Sequence, residues 1–226
     1  MSDFKYVTKK EYMPVKKEVI ELINLVQDEV REYFTFRFDF IGSEHRNMIT
    51  RDNDSNTGYD FDVNIRINDD DNKYSAKELK NILIQGFNKH AKKFKYDYCE
   101  DSKRVITIKV KDKKNSKILH SCDFAIVHDY IDDYGNECQE YIYFNKKQKT
   151  YEWQDQPDGY YKLEEKIEWI KDNDLWQVVR NRYLINKNNN KDTNKKSRSI
   201  FAETVNQVFN ENYEYFEEND DEEYYY

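Results

Sequence analysis

Tyr59-Asp60-Phe61-Asp62-Val63-Asn64-Ile65-Arg66-Ile67 alternates between apolar and polar side chains without a break. A period of two is the pattern of an extended strand. Phe61, Val63, Ile65 and Ile67 fall on one face, and Asp60, Asp62, Asn64 and Arg66 on the other. The apolar set needs a core to bury it. The polar set places two carboxylates on one face, their Cα atoms about 6–7 Å apart.

Upstream, Phe34 to Ile41 alternates aromatic and polar residues and stops at Gly42-Ser43, which predicts a second strand ending in a turn. Residues 44–58 are rich in Asn, Asp, Thr and Ser and read mainly as a loop, with room for a short helical turn just after Gly42-Ser43. Before these strands, Val15, Val19, Leu22, Val26 and Val30 form one apolar stripe, predicting a helix from about Pro14 to Tyr33 with Pro14 in its first turn.

Downstream, Ser75-Ala76-Lys77-Glu78 is a capping box opening a helix to about Lys93, with Leu79, Leu83, Phe87 and Ala91 on its buried face. Two strands follow, Arg104 to Val110 and Ile118 to Val127, joined by a charged turn. A weaker strand is expected at Gln139 to Phe144, after the Gly135-Asn136 turn. From Tyr160 the pattern turns helical. Leu163, Ile167 and Ile170 mark one helix, Asp174 is placed to cap a second carrying Trp176, Val179 and Tyr183, and Ser197 or Ser199 starts a third. The expected class is α+β: residues 1–158 a mixed central sheet flanked by helices, 159–213 a helical C-terminal lobe, and 214–226 a disordered acidic and tyrosine-rich tail.

Composition narrows the function classes. The chain has 226 residues and a formal net charge of −8, but seven of its 45 acids lie in 214–226, leaving 38 acids against 37 bases elsewhere. No run approaches the roughly 18 apolar residues of a membrane span, and the first ten residues hold no apolar signal stretch, so a cytoplasmic protein without a membrane partner is expected. Cys99, Cys122 and Cys138 form no C-x-x-C pair, and the four histidines show no short metal spacing. Both facts argue against a disulfide framework and a Cys/His zinc site.

The chemistry gathers at Gly42-Ser43, Asp60, Asp62 and Asp123. Asp-x-Asp on an amphipathic strand is, alone, more often a solvated face than a metal site, and Gly-Ser after a strand more often a plain turn. Asp123 is harder to set aside. It interrupts the hydrophobic run Cys122-Asp123-Phe124-Ala125-Ile126-Val127, where a carboxylate needs a cation or hydrogen-bond donors. Two carboxylates on one strand and a third on a neighbour suit a pair of Mg2+ ions, with Mn2+ as a substitute. Gly42 would permit close backbone approach, and Ser43 would help cradle phosphate oxygens.

Phe40-Ile41-Gly42-Ser43, then Asp60-Phe61-Asp62-Val63, then Asp123 on a later strand, resembles the DNA polymerase β-type nucleotidyltransferase superfamily. Arg46-Asn47-Met48-Ile49-Thr50 and Thr57-Gly58-Tyr59-Asp60 resemble bacterial members related to the cyclic-oligonucleotide (CD-NTase) and oligoadenylate synthases. The resemblance implies a polymerase β-like fold. It also implies metal-binding catalytic roles for Asp60, Asp62 and Asp123, with Asp123 nearest the acceptor, and triphosphate binding at Gly42 and Ser43. The implied reaction is Mg2+-dependent transfer of a nucleoside monophosphate from an NTP, ATP by expectation, to a nucleotide, tRNA-end or protein hydroxyl, with release of pyrophosphate. Two departures stand out: sixteen residues separate Ser43 from Asp60, and the chain is shorter than the second-messenger synthases.

Arg46 and Arg51, in the loop after Gly42-Ser43, are candidate phosphate contacts, as are Arg180 and Arg182 from the helical lobe. Tyr224-Tyr225-Tyr226 is a candidate nucleotidylation acceptor. The opposing reading is a non-catalytic nucleotide- or RNA-binding module on the same scaffold.

Overall fold

A computed structural model describes residues 3–68, 73–156 and 162–220, with 214–220 as backbone alone. The Tyr224–Tyr226 segment lies outside the described residues. Two compact units result, one formed by 6–156 and the other by 157–226 with the first five residues.

The larger unit is a mixed sheet with helices on one face. A short strand β1 (Phe4–Tyr6), of which Tyr6 alone falls in this unit, precedes helix α1 (Lys9–Val30). This helix begins five residues before the predicted Pro14. Thr8 accepts from the Glu11 backbone N–H, and the Glu11 carboxylate accepts from the Thr8 backbone. Thr8-x-x-Glu11 is thus a capping box that supplies a start signal stronger than the proline. Next come β2 (Thr35–Ile41), the single turn α2 (Gly42–His45), β3 (Thr50–Asp52), β4 (Tyr59–Asn68) and α3 (Ala76–His90). Helix α3 opens at the predicted Ser75/Glu78 box and ends in a 3-10 turn over Ala91–Phe94. After β5 (Glu100–Asp101) come β6 (Val105–Asp112), β7 (Lys117–Ile131), β8 (Glu137–Asn145) and β9 (Thr150–Asp155).

The strand order is β2-β4-β7-β6-β5, and β8, carrying β9, pairs with the far part of β7. Only β4 and β7 run parallel among these pairs. The apolar face expected of β4 is buried: Phe61, Val63 and Ile65 are at most 1% exposed. They pack with Cys122, Phe124 and Ile126 of β7 and with the stripes of α1 (Val19, Leu22, Val26, Val30) and α3 (Leu79, Leu83, Phe87). Phe87 stacks on Phe124 at 4.3 Å between ring centroids. Gly86 lets α3 approach α1, since a Cβ there would stand 3.1 Å from a Val26 methyl. With one face buried, a one-residue slip would drive both aspartates of β4 into the core, so the register is strongly specified.

The helical unit contains α4 (Leu163–Asp172), α5 (Trp176–Asn189) and α6 (Ser197–Asp220) around Ile170, Val179, Ile200, Val205 and Val208. Asp174 does not cap α5. It adopts φ +58°, and Leu175 stands at the cap without a side-chain bond. An aspartate in the left-handed region closes the end of α4 instead, its N–H donating to Lys171 O. Helix α6 continues past Tyr213, where the reading from composition began a disordered tail. No Gly or Pro interrupts 210–220, and extending an existing helix adds one hydrogen bond per residue fixed. No helix among the described residues is long and apolar enough to cross a membrane.

Candidate active site

Three aspartates meet on the sheet face opposite the helices. Asp60 and Asp62 lie two residues apart on β4 and so share a face. In the parallel β4–β7 pair, Asp62 stands opposite Asp123 and Asp60 opposite Ser121. Paired Cα atoms on adjacent strands are about 4.8 Å apart and their side chains point the same way, so all three carboxylates converge. Asp60 is exposed, and Asp62 and Asp123 are half-buried.

Their electrostatics follow from that crowding. Burial pushes the Asp62 carboxyl up to about 7 from an ordinary 3.8; the charges of Asp60 and Asp123 add to the rise, and Arg46 opposes it. Burial also raises Asp123, with Asp60 contributing, while the Thr107 hydroxyl bond and Lys109 pull it down. Like charges at this spacing oppose one another's ionisation unless a cation joins them.

The Gly42 bend abuts the same place. Ile41 pairs with Asp62 across β2–β4, and Gly42 follows with φ +64°. A Cβ on Gly42 would lie 2.5 Å from Asp62 Oδ2. Only glycine combines that conformation with that proximity. Ser43 O accepts from Met48 N–H at 2.7 Å, closing the turn. Glu44, next along, is anchored to α1 by Lys16 at 2.6 Å, and the Lys16 ammonium also sits over the Phe40 ring. Arg46 ends α2, half-buried and near enough to Asp62 for its charge to act there.

The other arginines behave differently. Arg51 pairs with Glu11 at 3.4 Å. Arg180 is half-buried on α5 of the helical unit, and Arg182 is bound there by Glu211. Trp176, half-buried, and Tyr183, buried, both pack edge-on against Phe201.

Sequence reasoning missed Thr107 and the Lys109–Glu100 pair. Thr107 lies opposite Asp123 on β6 and donates its hydroxyl to Asp123 Oδ1 at 2.6 Å. Lys109 binds Glu100 at 2.6 Å on the same face. A polar residue inside Ile106-Thr107-Ile108 was the available signal, but it has no meaning without the register.

Among the described residues, no three His, Cys, Asp or Glu side chains stand close enough together, as they are oriented, to hold an ion between them. The aspartates are a convergent, all-oxygen donor set rather than a closed cage. That suits Mg2+, which is held by one or two carboxylates and completes its shell with water and substrate phosphates. The Asp62 carboxyl, raised by burial and further by the charges of Asp60 and Asp123, is the observation that fits a cation here. A cleft of about 390 Å³ lies further along the face, lined by residues that include Arg37, Arg66, Asn68 and Asp129. There the Arg66 guanidinium is taken up by Asp39 and Asp129, so little net charge faces a ligand.

No protein-family model and no curated protein sequence matches the chain. Solved structures match its fold. A STING-associated CdnE c-di-GMP synthase from Capnocytophaga granulosa is similar at a TM-score of 0.56 and 16% identity, over 89% of this chain and 61% of that one. Vibrio cholerae DncV in its GTP-bound form is similar at 0.51 and 18%, over 90% and 52%. A CdnE cyclic dinucleotide synthase from Elizabethkingia meningoseptica, solved with GTP and Apcpp, is similar at 0.50 and 12%, over 84% and 68%. The chain therefore spans between about half and two-thirds of the length of these structures. Its α+β architecture with a mixed central sheet is the polymerase β-like fold of the CD-NTases.

Proposed function

We propose that the chain is a metal-dependent nucleotidyltransferase that moves a nucleoside monophosphate from an NTP to a hydroxyl acceptor and releases pyrophosphate. One observation carries this reading: Asp62 and Asp123 stand opposite one another on parallel strands, with Asp60 beside them and the Gly42 bend against Asp62. The likeness in fold to nucleotide synthases supports it.

Asp60, Asp62 and Asp123 would hold Mg2+. When bound, the metal neutralises the triphosphate and lowers the pKa of the attacking hydroxyl. Gly42, lacking a side chain, lets the bend lie against Asp62, and Gly42 and Ser43 would receive the triphosphate from that bend. Arg46 brings positive charge to the same end of β4, where it offsets both the aspartates and the incoming phosphates. Asp123 would help deprotonate the acceptor with metal assistance, while Asp60 and Asp62 would hold the ions on the NTP side. The acceptor classes this chemistry admits are a nucleotide, an RNA end or a protein hydroxyl; ATP is the expected donor.

The test incubates the chain with each labelled NTP, Mg2+ and candidate acceptors, and resolves the products. Pyrophosphate release should disappear in Asp60→Ala plus Asp62→Ala. Release that survives that double substitution refutes the assigned site, and NTP binding without turnover on any acceptor favours a nucleotide-binding module.

A further inference from the structure

Asp123 is flanked on both sides: Asp62 stands opposite it on β4, and Thr107 opposite it on β6. The two neighbours act in opposite directions. Asp62 repels the carboxylate, whereas the Thr107 hydroxyl donates to Oδ1 at 2.6 Å. An aspartate carboxylate turns about a broad, nearly two-fold torsion, so its strand position alone does not fix where its oxygens point. Thr107 can fix them. Its χ1 is stiffened by β-branching, its backbone is clamped between β5 and β7, and the residue is only 7% exposed. A hydroxyl at that depth needs an acceptor, and an ionised carboxylate is an acceptor only, so the bond has one polarity.

We propose that Thr107 is a positioning residue for the transfer reaction: its hydroxyl holds Oδ1 of Asp123 and so sets the orientation in which Asp123 meets a divalent cation and the acceptor. This rests on the metal-dependent reading of the aspartates given above. Groups that orient a metal-binding side chain from behind are commonly worth about 10–100-fold in metal affinity or activity. Lys109 and Glu100 lie to either side of Thr107 on the same face but bind each other, which leaves the hydroxyl as the group that grips Asp123.

Thr107→Val keeps the branching and size and removes the hydroxyl; Thr107→Ser keeps the hydroxyl. The full chain without nucleotide is titrated with Mn2+ alone, free Mn2+ being read by electron paramagnetic resonance. The thermal midpoint and the kcat and KM for NTP are measured alongside. Thr107→Val should bind Mn2+ about tenfold more weakly and lose a similar factor in kcat with little change in KM, while Thr107→Ser restores both. Should Thr107→Val fail to fold, Thr107→Ala provides the hydroxyl-free arm. Wild-type Mn2+ affinity in the hydroxyl-free variants overturns the proposal, as does a Thr107→Ser as impaired as Thr107→Val. Asp123→Asn separates the two levels of argument: if the wild-type chain and Asp123→Asn bind Mn2+ alike, the metal-site reading itself fails and this inference falls with it.

Discussion

Gly42 and Asp62 come so close that the smallest side chain on the glycine would strike the carboxylate, 2.5 Å from Oδ2. Two constraints therefore fall on one residue, since the position is also left-handed at φ +64°. Gly42→Ala should cost about 1–3 kcal/mol from backbone strain. It should also displace Asp62, and a displacement near 1 Å costs catalysis about 100-fold. Denaturant unfolding and pyrophosphate release measure the two effects separately. Turnover at the wild-type rate would mean that the close approach plays no part in the chemistry.

Asp62 makes the metal-free fold sensitive to pH. Its folded-state pKa, about 7, lies above the ordinary 3.8, so the folded chain holds this proton more tightly than the unfolded chain does. The stability tied to that proton is fully present below about pH 4 and is lost as the pH rises through 7. Asp62→Asn removes the charge, and in chelator it should raise the thermal midpoint at pH 8 and leave it nearly unchanged at pH 4. Mg2+ should narrow the gap at pH 8, because the ion favours the ionised wild-type carboxylate. An equal difference at both pH values would show that neither burial nor its charged neighbours raise the Asp62 carboxyl.

Arg46 is expected to act on binding. Its charge counters that of Asp62, and under the proposed function an NTP would bring several more negative charges to the same place. Arg46→Ala should weaken NTP binding by about tenfold, the worth of a charge-assisted hydrogen bond. Arg46→Lys should recover part of the loss. Equilibrium titration with a fluorescent NTP analogue reads it directly, and unchanged affinity would remove Arg46 from the site.

Lys80 concerns the scaffold. Its side chain is 1% exposed on α3, its ammonium reaching Asp101 at 2.8 Å and Ser102 O at 2.7 Å. Tyr151 donates to the other oxygen of Asp101 at 2.6 Å, joining α3, β5 and β9. Removing one partner leaves a buried charge uncompensated, so Asp101→Asn should destabilise the chain by about 3–5 kcal/mol. Adding Lys80→Met to it should recover much of that loss. Purely additive losses in a double-mutant cycle would contradict the coupling.

The sheet was largely legible because its strands are half-buried. Alternation gave β4 its faces, and that pattern placed Asp60 and Asp62 together before any pairing was known. Ser75 and Glu78 marked α3 because a capping box is a local device. The edge strand β9 escaped because its alternation, Thr150-Tyr151-Glu152-Trp153, is only four residues long and its aromatic side is no more than half-buried. Thr107 escaped for a deeper reason: a threonine in a strand is ordinary, and only the β6–β7 register gives it a carboxylate to hold. Local chemistry was readable in the chain, whereas chemistry made by pairing was not.

Strand β7 has one more implication. Around Asp123 it is laddered on both sides, to β4 and to β6, whereas beyond Val127 its partner is β8. Amide protons in the Cys122–Ala125 stretch should thus be among the slowest in the molecule to exchange with deuterated water, released only by global opening. The platform under the aspartates would then be inherited intact by every substrate. Under the proposed function, any motion that admits a nucleotide would then belong to the turns above it.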